Sequence, residues 1–301
     1  MSSYKKVALL GKGVLGSAVL EQLVDNDFTV TLLSREPSNV KDLPSGVEVT
    51  KVDYSSKASI VEALRGHDVV INTLGAASNG NQEFIIDASI DAGVKRYIPN
   101  DWSHLSNDPL AKDLPTNYSH LKIQAYLKQK ADEGLLEYTI INAGPFFDLV
   151  LKFPYLVDTK NRSVALYDNG ETPLSTTSTR SVGKAVVGAL KVPEATKNKQ
   201  LAINDTVLTQ AKVYAWAKKY TPTDVQWTET RVDAQEELEK AVQALKENPS
   251  DHKLILPVFK ASALNSKLTT AYPKVDNELL GLPLMTEEEV EAKFAATFQK
   301  A

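Results

Sequence analysis

A short glycine turn between an apolar run and a helical pattern constrains this chain more than any other feature. Val7-Ala8-Leu9-Leu10 runs into Gly11-Lys12-Gly13-Val14-Leu15-Gly16, and a helical stretch leads on to Phe28-Thr29-Val30-Thr31-Leu32-Leu33 and Ser34-Arg35. Strand, glycine turn, helix and strand is the order of a dinucleotide-binding unit. Gly11 permits the tight turn, Gly13 lets backbone N–H groups approach a pyrophosphate, and Gly16 lets the helix lie close on the strand. The phosphates then meet a helix N-terminus, whose unpaired N–H groups and dipole favour negative charge. The whole segment, with Lys12, Val14 and Leu15, is the expected cofactor cradle.

The end of the second strand selects the nucleotide. NAD-selective units place an Asp or Glu there to accept from the ribose 2′-OH, whereas Arg suits a 2′-phosphate. Here Ser34-Arg35 follows Gly16, with Lys41 close behind. Arg35 can fork onto a phosphate and Ser34 can donate beside it, so NADP(H) is the expected cofactor. Glu36 is expected to point away from Arg35.

Alternation continues through the first half, with apolar runs at 47–52, 68–75, 96–99 and 137–144 and helical stretches at 82–92 and 118–133. Crossovers of this length force parallel pairing. The expected class is α/β, a Rossmann-type doubly wound parallel sheet with a smaller, discontinuous α+β C-terminal substrate domain. Residues 1–150 form the nucleotide domain, 180–206 return to it, and 151–179 with 207–301 form the cap. A hairpin is expected near 164–174, turned at Asp168-Asn169-Gly170. Thr286-Glu287-Glu288-Glu289 reads as a capping box.

Composition excludes several chemistries. A net charge of −4 gives no electrostatic footprint for nucleic acid or anionic membrane. With no cysteine there is no disulfide, thiolate nucleophile or cysteine-bound metal, and no metal site is expected. No apolar run is long enough to span a bilayer, so the expectation is a cytoplasmic protein without a membrane partner. Self-association into a homodimer is left open.

Tyr118 and Lys122 stand four residues apart, one above the other on a helix. An ammonium near the nicotinamide ribose can hold the cofactor and lower the pKa of a neighbouring phenol, or move a proton itself. These two are the expected catalytic residues. His104 and His120 have no carboxylate at triad or metal spacing and are read as structural or solvated.

The ordered set resembles the atypical short-chain reductases of the NmrA-like and isoflavone-reductase-like group. The resemblance rests on Gly11 to Gly16, Ser34-Arg35, Asp53-Tyr54, Asp68-Val69-Val70-Ile71 and Ala92-Gly93-Val94-Lys95-Arg96-Tyr97-Ile98-Pro99. It continues through Lys122, Gly144-Pro145-Phe146-Phe147 and Asp276-Asn277-Glu278-Leu279-Leu280-Gly281. It implies NADPH-dependent reduction of an aromatic or phenolic metabolite. Lys122 matches the active-site lysine, Gly11, Gly13 and Gly16 the pyrophosphate loop, and Arg35 the 2′-phosphate contact. Asp53-Tyr54 matches a segment after the third strand. The chain departs from the plant reductases at Leu10, where they carry a further glycine, and at Pro99-Asn100-Asp101-Trp102-Ser103, where they read P-S-E-F-G.

The combined reading is an NADPH-dependent reductase with nicotinamide near Thr73-Leu74-Gly75 and Gly144-Pro145-Phe146. Trp102, Phe146, Phe147, Phe153 and Tyr155 form an apolar wall for a flat substrate, with core packing as the competing role for at least half of them. The alternatives are a redox sensor that binds dinucleotide without turnover, and a sugar-nucleotide epimerase or dehydratase.

Overall fold

A computed structural model describes residues 4–75, 81–102, 106 and 108–298. β1 (Lys6–Leu10), α1 (Val14–Val24) and β2 (Thr29–Ser34) form the first unit. β3 (Glu48–Lys51), α2 (Lys57–Leu64), β4 (Val69–Asn72), α3 (Gln82–Asp91), β5 (Arg96–Ile98), α4 (Tyr118–Asp132) and β6 (Glu137–Asn142) continue the alternation. After β6 the chain runs through α5 (Phe147–Lys152), β7 (Ser163–Tyr167) and β8 (Leu174–Thr176). Then α6 (Thr179–Lys191), α7 (Pro193–Thr196) and β9 (Lys199–Ala202) bring it back beside β6. β10 (Thr206–Leu208), α8 (Gln210–Lys219), β11 (Thr228–Val232), α9 (Ala234–Glu247), α10 (Ile255–Ala263), α11 (Asn277–Leu280) and α12 (Glu287–Phe298) complete it.

The main sheet is parallel, in the order β3-β2-β1-β4-β5-β6-β9. All four residues of β4 are buried, because helices cover both faces. On one face α1 and α6 enclose Val19, Leu23, Val182 and Val186; on the other α2, α3 and α4 enclose Ile60, Ile86 and Leu127. The strand order reverses between β1 and β4, so a crevice opens beyond their C-terminal ends, where ligands of such sheets bind. Thr73 stitches this point, donating from Oγ1 to Leu10 O at 2.9 Å and Gly11 O at 3.0 Å.

A second apolar cluster lies outside the sheet, with Phe147, Leu151, Leu166, Leu174, Trp216 and Phe294 among its members. The expected hairpin at 164–174 does not form. β7 pairs in parallel with β11, and β8 pairs antiparallel with β10. Asp168, Asn169 and Gly170 all take positive φ, and the Asp168 carboxylate accepts from Ala234 N at 3.0 Å and Ser266 N at 3.0 Å. Those bonds tie the turn to later segments instead of closing it on itself. The capping box does form: Thr286 N donates to Glu289 Oε2 and Glu289 N to Thr286 Oγ1. No helix among the described residues is long and apolar enough to cross a membrane.

Candidate functional site

The glycine turn occupies the crevice. Gly11 sits at φ +92°, and Gly13 caps α1 with no side-chain hydrogen bond. A Cβ on Gly13 would meet nothing within 4 Å. A Cβ on Gly16 would strike Gly11 O, with Thr73 Oγ1 at 2.7 Å. The open side at Gly13 and the closed side at Gly16 fit a pyrophosphate lying against the backbone and the helix N-terminus.

Two cavities flank this turn. The first, about 490 Å³, is lined by Lys12, Ser34, Arg35, Glu36, Asn39, Val40 and Lys41. Three cations against one carboxylate suit a phosphate monoester. Glu36 is part of this wall and does not point away as the strand geometry suggested, because β2 ends at Ser34 and the backbone turns. Lys12 Nζ donates to Lys41 O at 2.7 Å, which holds the two lysines together. Tyr54, whose hydroxyl donates to Leu33 O, lies close behind; burial pushes its pKa up, partly offset by Arg35. The Asp53 carboxylate is exposed and accepts from Ser55 N and Oγ, which lower its pKa. It shapes a local turn and does not line the cavity.

The second cavity, about 530 Å³, begins at Leu15, Thr73, Leu74, Gly144, Pro145 and Phe146. Gly144 has φ +67°, and a Cβ there would strike Ser175 O, so glycine is required for the close approach. Trp102 lines the same chamber and is fixed by its Nε1 donating to Asn72 O at 3.2 Å. Phe153, Tyr155 and the cap residues Leu256, Phe259 and Lys260 form the far wall. Phe153 is 54% exposed, a rim residue. Tyr155 donates its hydroxyl to Phe259 O, and burial raises its pKa. Phe147 is a correction: it is buried in the second apolar cluster and does not reach the chamber. Gly75 is exposed and is not part of the chamber lining.

Tyr118 and Lys122 are not brought to the chamber. Tyr118 is exposed and donates to Asp113 O at 3.0 Å. The Lys122 side chain is 69% exposed, with Nζ 2.8 Å from Glu83 Oε2. The buried face of α4 carries His120, Ile123 and Leu127, so residues two positions either side of His120 fall on the solvent side. That spacing was the signal in the sequence that could have found the inward residue. His120 lines the chamber, and its Nδ1 lies 3.3 Å from Asp101 Oδ1. Asp101 follows β5, so its pairing with a residue of α4 is invisible in linear spacing. The opposite Asp101 oxygen, Oδ2, accepts from Gln124 Nε2 at 2.7 Å and Ser106 Oγ at 3.4 Å. His104 lies outside the described residues.

A family model described as NAD(P)H-binding matches residues 11–193. An oxidoreductase of Aspergillus flavus, aprR, is 34% identical over 245 residues, 80% of this chain and 81% of its own. A phenylcoumaran benzylic ether reductase of Pinus taeda is 26% identical across 73% of this chain and 76% of its own. Among solved structures, the Escherichia coli NADPH-dependent quinone oxidoreductase QOR2 has a TM-score of 0.73 at 20% identity, over 95% of this chain and 98% of its own. That likeness shows a shared fold.

Proposed function

The chain belongs to the NAD(P)H-binding family and is an oxidoreductase of its isoflavone-reductase-like branch; from that premise we propose that it is an NADPH-dependent reductase of a small aromatic or conjugated carbonyl compound. The observation that carries this reading is the division of labour across one turn. Lys12 faces the basic cavity and Leu15, three residues on, faces the apolar chamber. A dinucleotide laid along the turn would be held at its 2′-phosphate by Arg35 and Lys41 and at its nicotinamide end by Thr73, Leu74 and Gly144. When bound, the reduced nicotinamide supplies the hydride. The chain binds the phosphates through the 11–16 backbone and orients the substrate ring against Trp102, Phe146 and Tyr155. A dinucleotide sensor needs the turn but not an adjoining apolar chamber, so the chamber favours turnover.

The cofactor part is tested by Arg35→Ala. A lost charge-assisted hydrogen bond is worth about 1.5–3 kcal/mol, so the NADPH dissociation constant should rise roughly 10- to 100-fold. NADH binding, followed by the same fluorescence titration, should move by less than about threefold, since it carries no 2′-phosphate. Equal losses for both nucleotides contradict the assignment.

A further inference from the structure

Reduction of a carbonyl needs an acid where the oxygen becomes negative, and the sequence assigned that role to a pair on the wrong face of α4. The chamber lined by Thr73, Leu74 and Gly144 is also lined by Asn100, Trp102 and His120. Of these, His120 alone has a side chain that serves as a general acid or base. Resting on the reductase reading above, we propose that His120, held by Asp101, is the proton donor to the substrate oxygen.

The ring is oriented for this. Nδ1 is buried against Asp101, which leaves Nε2 as the nitrogen on the cavity side. Asp101 is 1% exposed. A carboxylate so deep must be paired and hydrogen-bonded. Gln124 and Ser106 donate to Oδ2, and Oδ1 lies 3.3 Å from the imidazole Nδ1. Gln124 donates to Ser106 Oγ as well, and Gln200 Nε2 donates to Asn142 Oδ1 at 2.6 Å in the layer below. A polar layer of this depth fixes the carboxylate beside the ring. The Nδ1 contact lies within ion-pair distance but off the line of a hydrogen bond. Such contacts commonly align only when substrate closes the site.

The step balances simply. The substrate carbon accepts the hydride supplied by the cofactor, and the C=O π pair moves onto oxygen. That oxygen takes the Nε2 proton of the imidazolium. His120 is left neutral with its N–H on Nδ1 toward Asp101, and solvent returns a proton to Nε2. Two hydroxyls of the chamber donate elsewhere: Thr73 Oγ1 to Leu10 O and Gly11 O, and Tyr155 to Phe259 O. Lys260, whose pKa burial lowers, stands on the cap wall and donates to Pro154 O at 3.3 Å.

The test uses the full chain with menadione, benzylideneacetone and acetophenone as probes. His120→Gln should lower kcat about 10²- to 10⁴-fold, the usual range for a lost general acid. Its NADPH dissociation constant should stay within about threefold, because the loss belongs to the proton step and not to nucleotide binding. Asp101→Asn, which keeps the shape but not the charge, should lower kcat with little change in KM and enlarge the solvent deuterium isotope effect. A readout free of turnover is nitrogen-15 NMR of the imidazole ring. Adding NADP⁺ and 4-fluoroacetophenone should shift the His120 Nε2 resonance and leave Nδ1 nearly in place. Turnover that survives both substitutions, or an Nε2 signal indifferent to the ketone, overturns the assignment. So does a kcat loss in Lys260→Met with none in His120→Gln. Wild-type protein that binds NADPH yet reduces no probe overturns the reductase reading, and this proposal with it.

Discussion

Gly16→Val is expected to abolish NADPH binding and to lower the stability of the cofactor-free protein by about 1–3 kcal/mol, the usual cost of overpacking a filled site. The first valine carbon already collides with Gly11 O and crowds Thr73 Oγ1 at 2.7 Å. Both are parts of the stitch between β1 and β4, so neither can retreat without losing the Thr73 bonds to Leu10 and Gly11. The collision pushes α1 off the strand and moves its N-terminal N–H groups out of line with the phosphates. Calorimetric titration with NADPH and urea denaturation of the same samples check the two effects. Gly13→Ala is the contrast, because a Cβ there meets no protein atom within 4 Å. It should cost little stability while weakening NADPH through contact with the pyrophosphate. If Gly16→Val binds NADPH with wild-type affinity, the turn is not the cradle.

Arg96→Met is expected to destabilise the fold by about 3 kcal/mol, the lower end of the range for removing one member of a buried ion pair. The Arg96 side chain is 0% exposed; Nη2 lies 2.6 Å from Glu137 Oε2, and Nη1 donates to Thr196 Oγ1 at 3.1 Å. Lys197 stays 2.7 Å from Glu137 Oε1, which is why the lower end applies. Partial burial alone would raise the Glu137 carboxyl, but hydrogen bonds from Lys197, Tyr4 and Arg96 outweigh it and bring the pKa from 4.5 to about 2. A carboxyl lowered on folding stabilises the native state above its unfolded pKa. That contribution fades as pH falls from about 4.5 toward 2. The gap between wild type and Arg96→Met should therefore be widest near neutrality and shrink below pH 4.5. Urea denaturation at several pH values measures it, and a gap constant with pH contradicts the role given to Glu137.

The nucleotide half of the molecule was readable because its determinants are local. Gly11, Gly13 and Gly16 lie within one strand–helix–strand unit and Arg35 directly follows it, so a short stretch of sequence carries them all. A strand-like Gln200-Leu201-Ala202-Ile203-Asn204 after a helical stretch near 182–190 also pointed back to the core sheet, where β9 pairs with β6. The chemical half was legible only in pieces. A Tyr–Lys pair at helical spacing shows that two side chains share a face, but not that the face is inward. The stripe His120, Ile123, Leu127 answers that, once α4 is known to cover a sheet. Pairing with Asp101 depends on how the loop after β5 meets α4, which no local pattern encodes. Phe147 failed for the opposite reason: adjacent aromatics Phe146 and Phe147 point apart at the start of α5, and only one can face the chamber.

The cap and the sheet are laced together by separate stretches of chain. Phe147 N donates to Thr177 O, Thr177 Oγ1 reaches both Ala143 O and Ile203 O, and Asp276 grips Ala202 through its backbone and its carboxylate. A body moored at several points cannot swing about one hinge. A clamshell opening, with the cap rotating away as a unit, would have to break these moorings together. Among the residues lining the chamber, Phe153 and Leu256 are the large apolar side chains left exposed. Rotamer flips of exposed side chains run on picosecond-to-nanosecond timescales, far faster than rigid-body motion. Under the proposed function, side-chain motion at that speed would leave selection of a substrate to the shape of the chamber.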